Sequence, residues 1–197
     1  MRKILFYGDS NTYGYDPADF YGNRFPKRER WTTILQLFLG DEWEVVPEGM
    51  NGRQIPNLTY DAGWVLRLLE RLSEEDIFSV MLGTNDLLLT MDPDAGEAIR
   101  KMQIFLDFLT ENVTPSHILL IAPPYVGGSG VRDPLYRMFY EENRRMNEGF
   151  RLLAEPRGIL FADAATWNIE LAADWVHFSR YGHQQFAEEL YRFLKDK

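Results

Sequence analysis

Cysteine is missing from all 197 residues, and with it go disulfides, thiolate nucleophiles and zinc–thiolate sites. Any covalent catalysis falls to Ser, Thr, Lys or a carboxylate. Histidine is scarce as well, three in the whole chain, which leaves little for a metal cage. Cationic side chains are outnumbered, 21 Lys and Arg against 30 Asp and Glu, for a formal charge of −9. Binding a polyanion needs clustered Lys and Arg to displace its counterions, so no nucleic-acid partner is expected. No apolar run approaches the ~18 residues that span a bilayer, and only Met1-Arg2-Lys3 stands before the first apolar run. The expectation is a soluble, cytoplasmic protein without a membrane partner, acting on neutral small molecules. Gly-x-Gly-x-x-Gly and Gly-x-x-x-x-Gly-Lys-Ser/Thr are absent too, which weakens a nucleotide- or flavin-binding reading. With no linker, repeat or low-complexity tract, residues 1–197 fit a single domain around one core.

What the chain does have is a regular alternation of apolar runs and amphipathic stretches. Ile4-Leu5-Phe6-Tyr7 reads as a buried strand that runs straight into Gly8-Asp9-Ser10-Asn11. Trp31, Ile34, Leu35 and Phe38 recur at helical spacing with Gly40 as a stop, and Trp43-Glu44-Val45-Val46 follows as a second strand. That strand leads into Pro47-Glu48-Gly49-Met50-Asn51-Gly52-Arg53. Val65, Leu68, Leu69 and Leu72 mark another helix face, and Ile77-Phe78-Ser79-Val80-Met81-Leu82 is a third strand ending in Gly83-Thr84-Asn85-Asp86. Asp92-Pro93 predicts a helix start, an N-cap followed by proline at the first position, with Ile99, Met102, Leu106 and Leu109 as the buried face. Ile118-Leu119-Leu120-Ile121-Ala122 is a fourth strand, followed by a Gly127-Gly128-Ser129-Gly130 loop. Asp133-Pro134 then opens a helix with the stripe Leu135, Phe139, Met146, Phe150 and Leu153. Ile159-Leu160-Phe161-Ala162 is the fifth strand. Residues 163–179 mix short helix with loop, and Phe186, Leu190, Phe193 and Leu194 face inward from a closing helix. Strands and helices alternating at these lengths imply right-handed crossovers and a parallel sheet with helices on both faces.

In an open parallel sheet, ligands bind outside the carboxyl ends of the strands. That edge gathers Ser10 after strand one, Gly52 after strand two, Asn85 after strand three and the segment after strand five. Ester hydrolysis by serine needs a base for the hydroxyl proton, a group to orient that base, and donors aimed at the oxyanion. Asp174-Trp175-Val176-His177 supplies base and orienter, because a three-residue spacing lets one turn of chain present carboxylate and imidazole together. Ser10 is the candidate nucleophile. Residues 11–30 carry Tyr13, Tyr15, Phe20, Tyr21 and Phe25; such rings fit equally the wall of an acyl or sugar pocket and a core cover or subunit contact. Other candidates take plainer parts. Asp86 ties or caps the loop after strand three, His183 is a helix-surface or packing residue within the last helix, and Arg53 makes a salt bridge on the acidic surface rather than meeting a substrate carboxylate. Ser129 lacks the Gly-x-Ser-x-Gly frame, since Val131 stands where its last glycine belongs.

Gly8-Asp9-Ser10, Gly52, Gly83-Thr84-Asn85-Asp86 and Asp174-Trp175-Val176-His177, in this order, resemble the four sequence blocks of the SGNH hydrolases, also called the GDSL esterases and lipases. The resemblance spans nearly the whole chain. It implies a flavodoxin-like, three-layer α/β/α sandwich with a five-stranded parallel sheet in the order 2-1-3-4-5, and no metal or organic cofactor. It also implies Ser10 as nucleophile, His177 as base, Asp174 as orienter, and an oxyanion hole of the Ser10 N–H, the Gly52 N–H and the Asn85 side chain. Gly8-Asp9-Ser10-Asn11-Thr12-Tyr13-Gly14-Tyr15 with Arg30-Trp31, and Glu48-Gly49-Met50-Asn51-Gly52-Arg53, are similar to the arylesterase and acyltransferase branch. Members of that branch cleave short-chain esters or pass the acyl group to acceptors other than water, and some form homo-oligomers. The chain departs from the family at Trp175, where glycine is common; the aspartate–histidine spacing survives, and loop shape and pocket size are what the change touches. Asn11, Tyr13 and Trp175 complete the expected substrate-binding set. The implied activity is a serine esterase for small short-chain carboxylic esters, acetylated sugars or aryl esters among them. Acyl transfer from the same acyl-enzyme and a non-catalytic small-molecule-binding module are the alternatives.

Overall fold

A computed structural model of the chain describes residues 1–19, 21–127 and 133–195. Phe20, Gly128, Ser129, Gly130 and Val131, named above, lie outside the described residues. Five strands, β1 (Arg2–Gly8), β2 (Trp43–Gly49), β3 (Ile77–Met81), β4 (Ile118–Ala122) and β5 (Leu160–Asp163), pair in parallel in the order 2-1-3-4-5. Around them run α1 (Ser10–Tyr13), α2 (Trp31–Leu39), α3 (Leu58–Leu69), α4 (Thr84–Leu88), α5 (Ala95–Thr110), α6 (Pro134–Ala154) and α7 (Arg180–Lys195).

The period of two along a strand decides the layers. Leu5 and Tyr7 of β1 join Phe78 and Val80 of β3 under α3, α5 and α6, whereas Ile4 and Phe6 pack with Trp31 and Leu35 of α2 and Phe186 and Leu190 of α7. Trp31 stands edge-on to both Phe6 and Phe186, with ring centroids 4.8 Å apart in each pair. The sheet is thus covered on both faces, as the alternation of elements predicts.

The two Asp-Pro helix starts come out differently. Asp133 caps α6 as predicted, its carboxylate accepting the Leu135 N–H at 2.8 Å, with Pro134 in the first turn. For α5 the cap is Asp94 rather than Asp92, and it takes the Gly96 N–H at 2.8 Å. A tertiary partner decides the matter: Glu142 of α6 accepts the Ala95 N–H at 2.9 Å, so the orphan donors of the first turn are satisfied where α6 passes. Two stripe residues also end outside the core, Phe38 at 40% and Leu135 at 53% exposure; Phe38 leans on Tyr191 of α7.

Register levels the carboxyl ends of the central strands, for Gly8 pairs with Gly49 on one side and Met81 on the other. Gly49 has no room for a side chain, since a Cβ there would lie 2.1 Å from the Tyr13 nitrogen. Its bare backbone lets β2 close directly onto α1, at the edge where the candidate residues gather.

Candidate active site

Ser10 arrives at this edge on β1. The strand ends at Gly8, Asp9 turns the chain and caps α1 by accepting the Asn11 N–H at 2.9 Å, and Ser10 becomes the first residue of that short helix. Asp9 is buried, and burial pushes its carboxyl up to about 6 against the opposing pull of the Asn11 N–H, His177 and Arg53.

Between β5 and α7 the chain folds back on itself, with the Ala172 N–H donating to the His177 carbonyl at 2.7 Å. One oxygen of Asp174 accepts the Val176 and His177 N–H groups, both at 3.0 Å, and the other meets His177 Nδ1 at 2.6 Å. Burial opposes the charge on Asp174, yet the bonds from the His177 ring and the two N–H groups outweigh it, so the carboxyl sits below its ordinary value. An ionised carboxylate can only accept, which places the imidazole proton on Nδ1 and leaves Nε2 with a free lone pair. Nε2 meets the Ser10 Oγ at 2.9 Å. Three residues expected from the sequence thus form one chain of hydrogen bonds.

The expected substrate-binding residues fare less evenly. Asn11 is buried, and its side chain donates to the Val176 carbonyl at 3.3 Å while accepting the Phe178 N–H at 2.8 Å. Its amide is spent clamping the backbone on both sides of His177 to the Ser10 turn, not on lining an opening. The Tyr13 ring is covered by the Arg24 guanidinium, 4.2 Å from its centroid. The ring that meets His177 is Tyr15, with centroids 4.6 Å apart; the sequence marks it only as one of several aromatics. Phe25 takes the core-cover part, buried against His183. Trp175 is 46% exposed in the turn that carries Asp174 and His177, with φ +58°, and its carbonyl accepts the Gly127 N–H at 3.0 Å.

The loops after β2 and β3 meet through Arg53. Gly52 holds φ +72° with open space where a Cβ would point, so backbone conformation, not room, is what calls for glycine there. Asn85, in α4, donates through Nδ2 to the Arg53 carbonyl at 3.0 Å. Asp86 ties these loops as expected: it is buried, and it accepts the Ile55 N–H at 2.9 Å and the Lys101 ammonium at 3.1 Å. Burial raises its carboxyl against those bonds. Arg53 departs from expectation. Instead of forming a surface salt bridge it is buried, with Nη1 donating to the Gly8 carbonyl at 2.8 Å and to the Glu48 carbonyl, and with its guanidinium 4.2 Å from the Tyr7 ring centroid. Arg71 takes the Glu48 carboxylate. Of the two parts the sequence leaves to His183, helix surface and packing, it takes the second, buried beside Phe25 and Phe178. Among the described residues no cluster of His, Asp and Glu suits a metal ion, and no helix is long and apolar enough to cross a membrane.

The sequence model of the GDSL-like lipase/acylhydrolase family matches residues 6–185. No curated protein matches the chain. Among solved structures, a provisionally named arylesterase from Agrobacterium tumefaciens is 28% identical, covering 100% of this chain and 99% of its own, with a TM-score of 0.80. A carbohydrate acetylesterase from Sinorhizobium meliloti is 22% identical over 100% of this chain and 99% of its own, with a TM-score of 0.78. The aryl esterase of M. smegmatis is also 22% identical over 100% and 99%, with a TM-score of 0.80. At that identity the latter two show the shared fold. The chain belongs to the GDSL-like lipase/acylhydrolase family and is an enzyme of ester hydrolysis.

Proposed function

We propose that this enzyme is a serine esterase for small, short-chain carboxylic esters, acetylated sugars and aryl esters among them, working through an acyl-enzyme on Ser10. The observation that carries the reading is the unbroken pair of hydrogen bonds from Ser10 to His177 and from His177 to Asp174, 2.9 and 2.6 Å long. Ser10 Oγ attacks the ester carbonyl as its proton passes to His177 Nε2, and Asp174 stabilises the imidazolium so formed. The tetrahedral oxyanion is received by the Ser10 N–H, the Gly52 N–H and Asn85 Nδ2. One hydrogen of that amide is already committed to the Arg53 carbonyl, which fixes which way the group faces and leaves the second hydrogen for substrate. Collapse of the intermediate expels the alkoxide, which takes the proton from His177. Water then repeats the sequence on the acyl-enzyme, with His177 again as base, and releases the acid. The Tyr15 ring against His177 and the half-exposed Trp175 in the turn that carries His177 favour short acyl groups, because a crowded sheet edge offers no deep channel for a long chain.

Ser10→Ala tests the assignment. The variant should fold, lose nearly all hydrolysis of nitrophenyl acetate, and no longer be labelled by a fluorophosphonate. Turnover near that of the wild type would end this reading.

A further inference from the structure

We propose that Arg53 is a positioning residue for the oxyanion hole, setting the Gly52 N–H and the Asn85 amide relative to Ser10. The inference rests on the esterase reading above. Its basis is that this one residue binds the ends of β1 and β2 and the Asn85 side chain of α4, which follows β3. Its guanidinium donates to the carbonyl of Gly8, two residues before Ser10, and to the carbonyl of Glu48 near the end of β2. Its own N–H closes the loop onto the Met50 carbonyl at 3.1 Å, and its carbonyl accepts from Asn85 Nδ2 at 3.0 Å. The Gly52 N–H lies in the Asn51–Gly52 peptide, inside the turn that this Arg53 N–H to Met50 carbonyl bond closes.

The arrangement is an expensive one for a structural staple. A guanidinium taken out of water loses hydration, and here it is answered by two backbone carbonyls and the face of Tyr7. The Gly8 carbonyl also accepts the Met50 N–H at 3.1 Å, so the strand pairing is complete at that point without Arg53. What the side chain adds is a fixed distance between the Ser10 strand and a loop whose Gly52 has no side chain of its own to anchor it. The far end of the loop is held separately by Asp86 through the Ile55 N–H. Donors that must meet a developing charge gain by being fixed beforehand.

The test uses Arg53→Met and Arg53→Lys, with active sites counted by fluorophosphonate titration so that misfolded protein drops out of the rate. Lysine keeps the charge but not the planar fork. Both variants should lose about 10–100-fold in kcat per titrated site, the range seen when a supporting partner is removed, with KM nearly unchanged. Binding of phenylboronic acid, which closes a tetrahedral anion on Ser10, should weaken by the same factor. On an Asn85→Ala background Arg53→Lys should cost much less, because two residues acting through one hole are not additive. A wild-type kcat in Arg53→Lys, a loss confined to KM, or full additivity with Asn85→Ala would each overturn the proposal. If Ser10→Ala is inactive while both Arg53 variants turn over normally, this inference alone fails; an active Ser10→Ala removes the esterase reading beneath it.

Discussion

His177 and His183 lie six residues apart and are put to opposite uses. His177 sits in an irregular turn with both ring nitrogens engaged, one by the Asp174 carboxylate and the other by the Ser10 hydroxyl. His183 opens onto no solvent. Its Nδ1 accepts the Trp31 N–H at 3.3 Å, its Nε2 has no hydrogen-bond partner among the described residues, and Phe25 and Phe178 stand against the ring. A proton arriving on His177 finds an anion to balance it; one arriving on His183 finds two phenyl rings and the nearby charge of Arg30. Residue type made both of them candidates for a base, and the partners decide between them.

The sharpest way to break that comparison is to remove each ring. His177→Ala should lower kcat by about 10⁴–10⁶, the cost of deleting a general base from a serine-nucleophile triad. His183→Gln should leave kcat per titrated active site within a few-fold. The result that would reverse the assignment is nitrophenyl acetate hydrolysis surviving in His177→Ala and vanishing in His183→Gln.

How far the sequence foretold these surroundings depends on the range of the interaction. Strands β1 to β5 were legible because apolar runs bounded by Gly and Pro are local signals, and so was the cap at Asp133. Ser10 and Asn85 were legible because each sits in a short block after the end of a strand, and Asp174 and His177 because their three-residue spacing sets a carboxylate and an imidazole in one turn. What escaped was decided by chain from elsewhere. The α5 cap moved to Asp94 beside Glu142 of α6, and Asn11 was taken up by the backbone around His177. Arg53 looked like any surface arginine, since nothing near it in sequence says that β1 and β2 will turn two carbonyls toward it. A buried arginine has no local signature; its hints were its place directly after Gly52 and within the block Glu48-Gly49-Met50-Asn51-Gly52-Arg53.

A second contrast between the histidines is one of stability against pH. In the unfolded chain His183 takes up a proton near the ordinary histidine value of about 6.5, whereas in the fold burial, with Arg30 and His177 adding to it, lowers that to about 3. Between those limits the unfolded state binds more protons, so stability rises with pH and is lost as pH falls through the window. At ~1.4 kcal/mol per unit, the loss at pH 4 amounts to a few kcal/mol. Asp9 works the other way. Its carboxyl stands at about 6 in the fold against about 3.9 unfolded, so acidification over that interval relieves a cost of burial. Comparing urea midpoints at pH 7 and pH 4 separates the two: His183→Gln should lose less stability on acidification than the wild type, and Asp9→Asn should lose more. Identical pH dependence in wild type and His183→Gln would mean that the ring is not the buried neutral group described here.

The smallest effect concerns where strain lies. His183 stands in regular helix, while the His177 turn holds Trp175 at φ +58° with its indole 46% exposed. A bulky residue in that region costs on the order of 1–3 kcal/mol, and glycine adopts it freely at an entropic cost of ~0.5–1 kcal/mol. Trp175→Gly should therefore stabilise the fold by about 1 kcal/mol in urea unfolding. The same change removes the indole from the turn that carries Asp174 and His177. If that indole limits the acyl group, the ratio of kcat/KM for nitrophenyl butyrate over acetate should rise several-fold in the variant. A loss of stability on Trp175→Gly would show that packing of the indole outweighs the strain of its backbone. An unchanged butyrate-to-acetate ratio would place the acyl group away from this turn and leave Tyr15, tilted against His177 from the other loop, as the wall that sets its length.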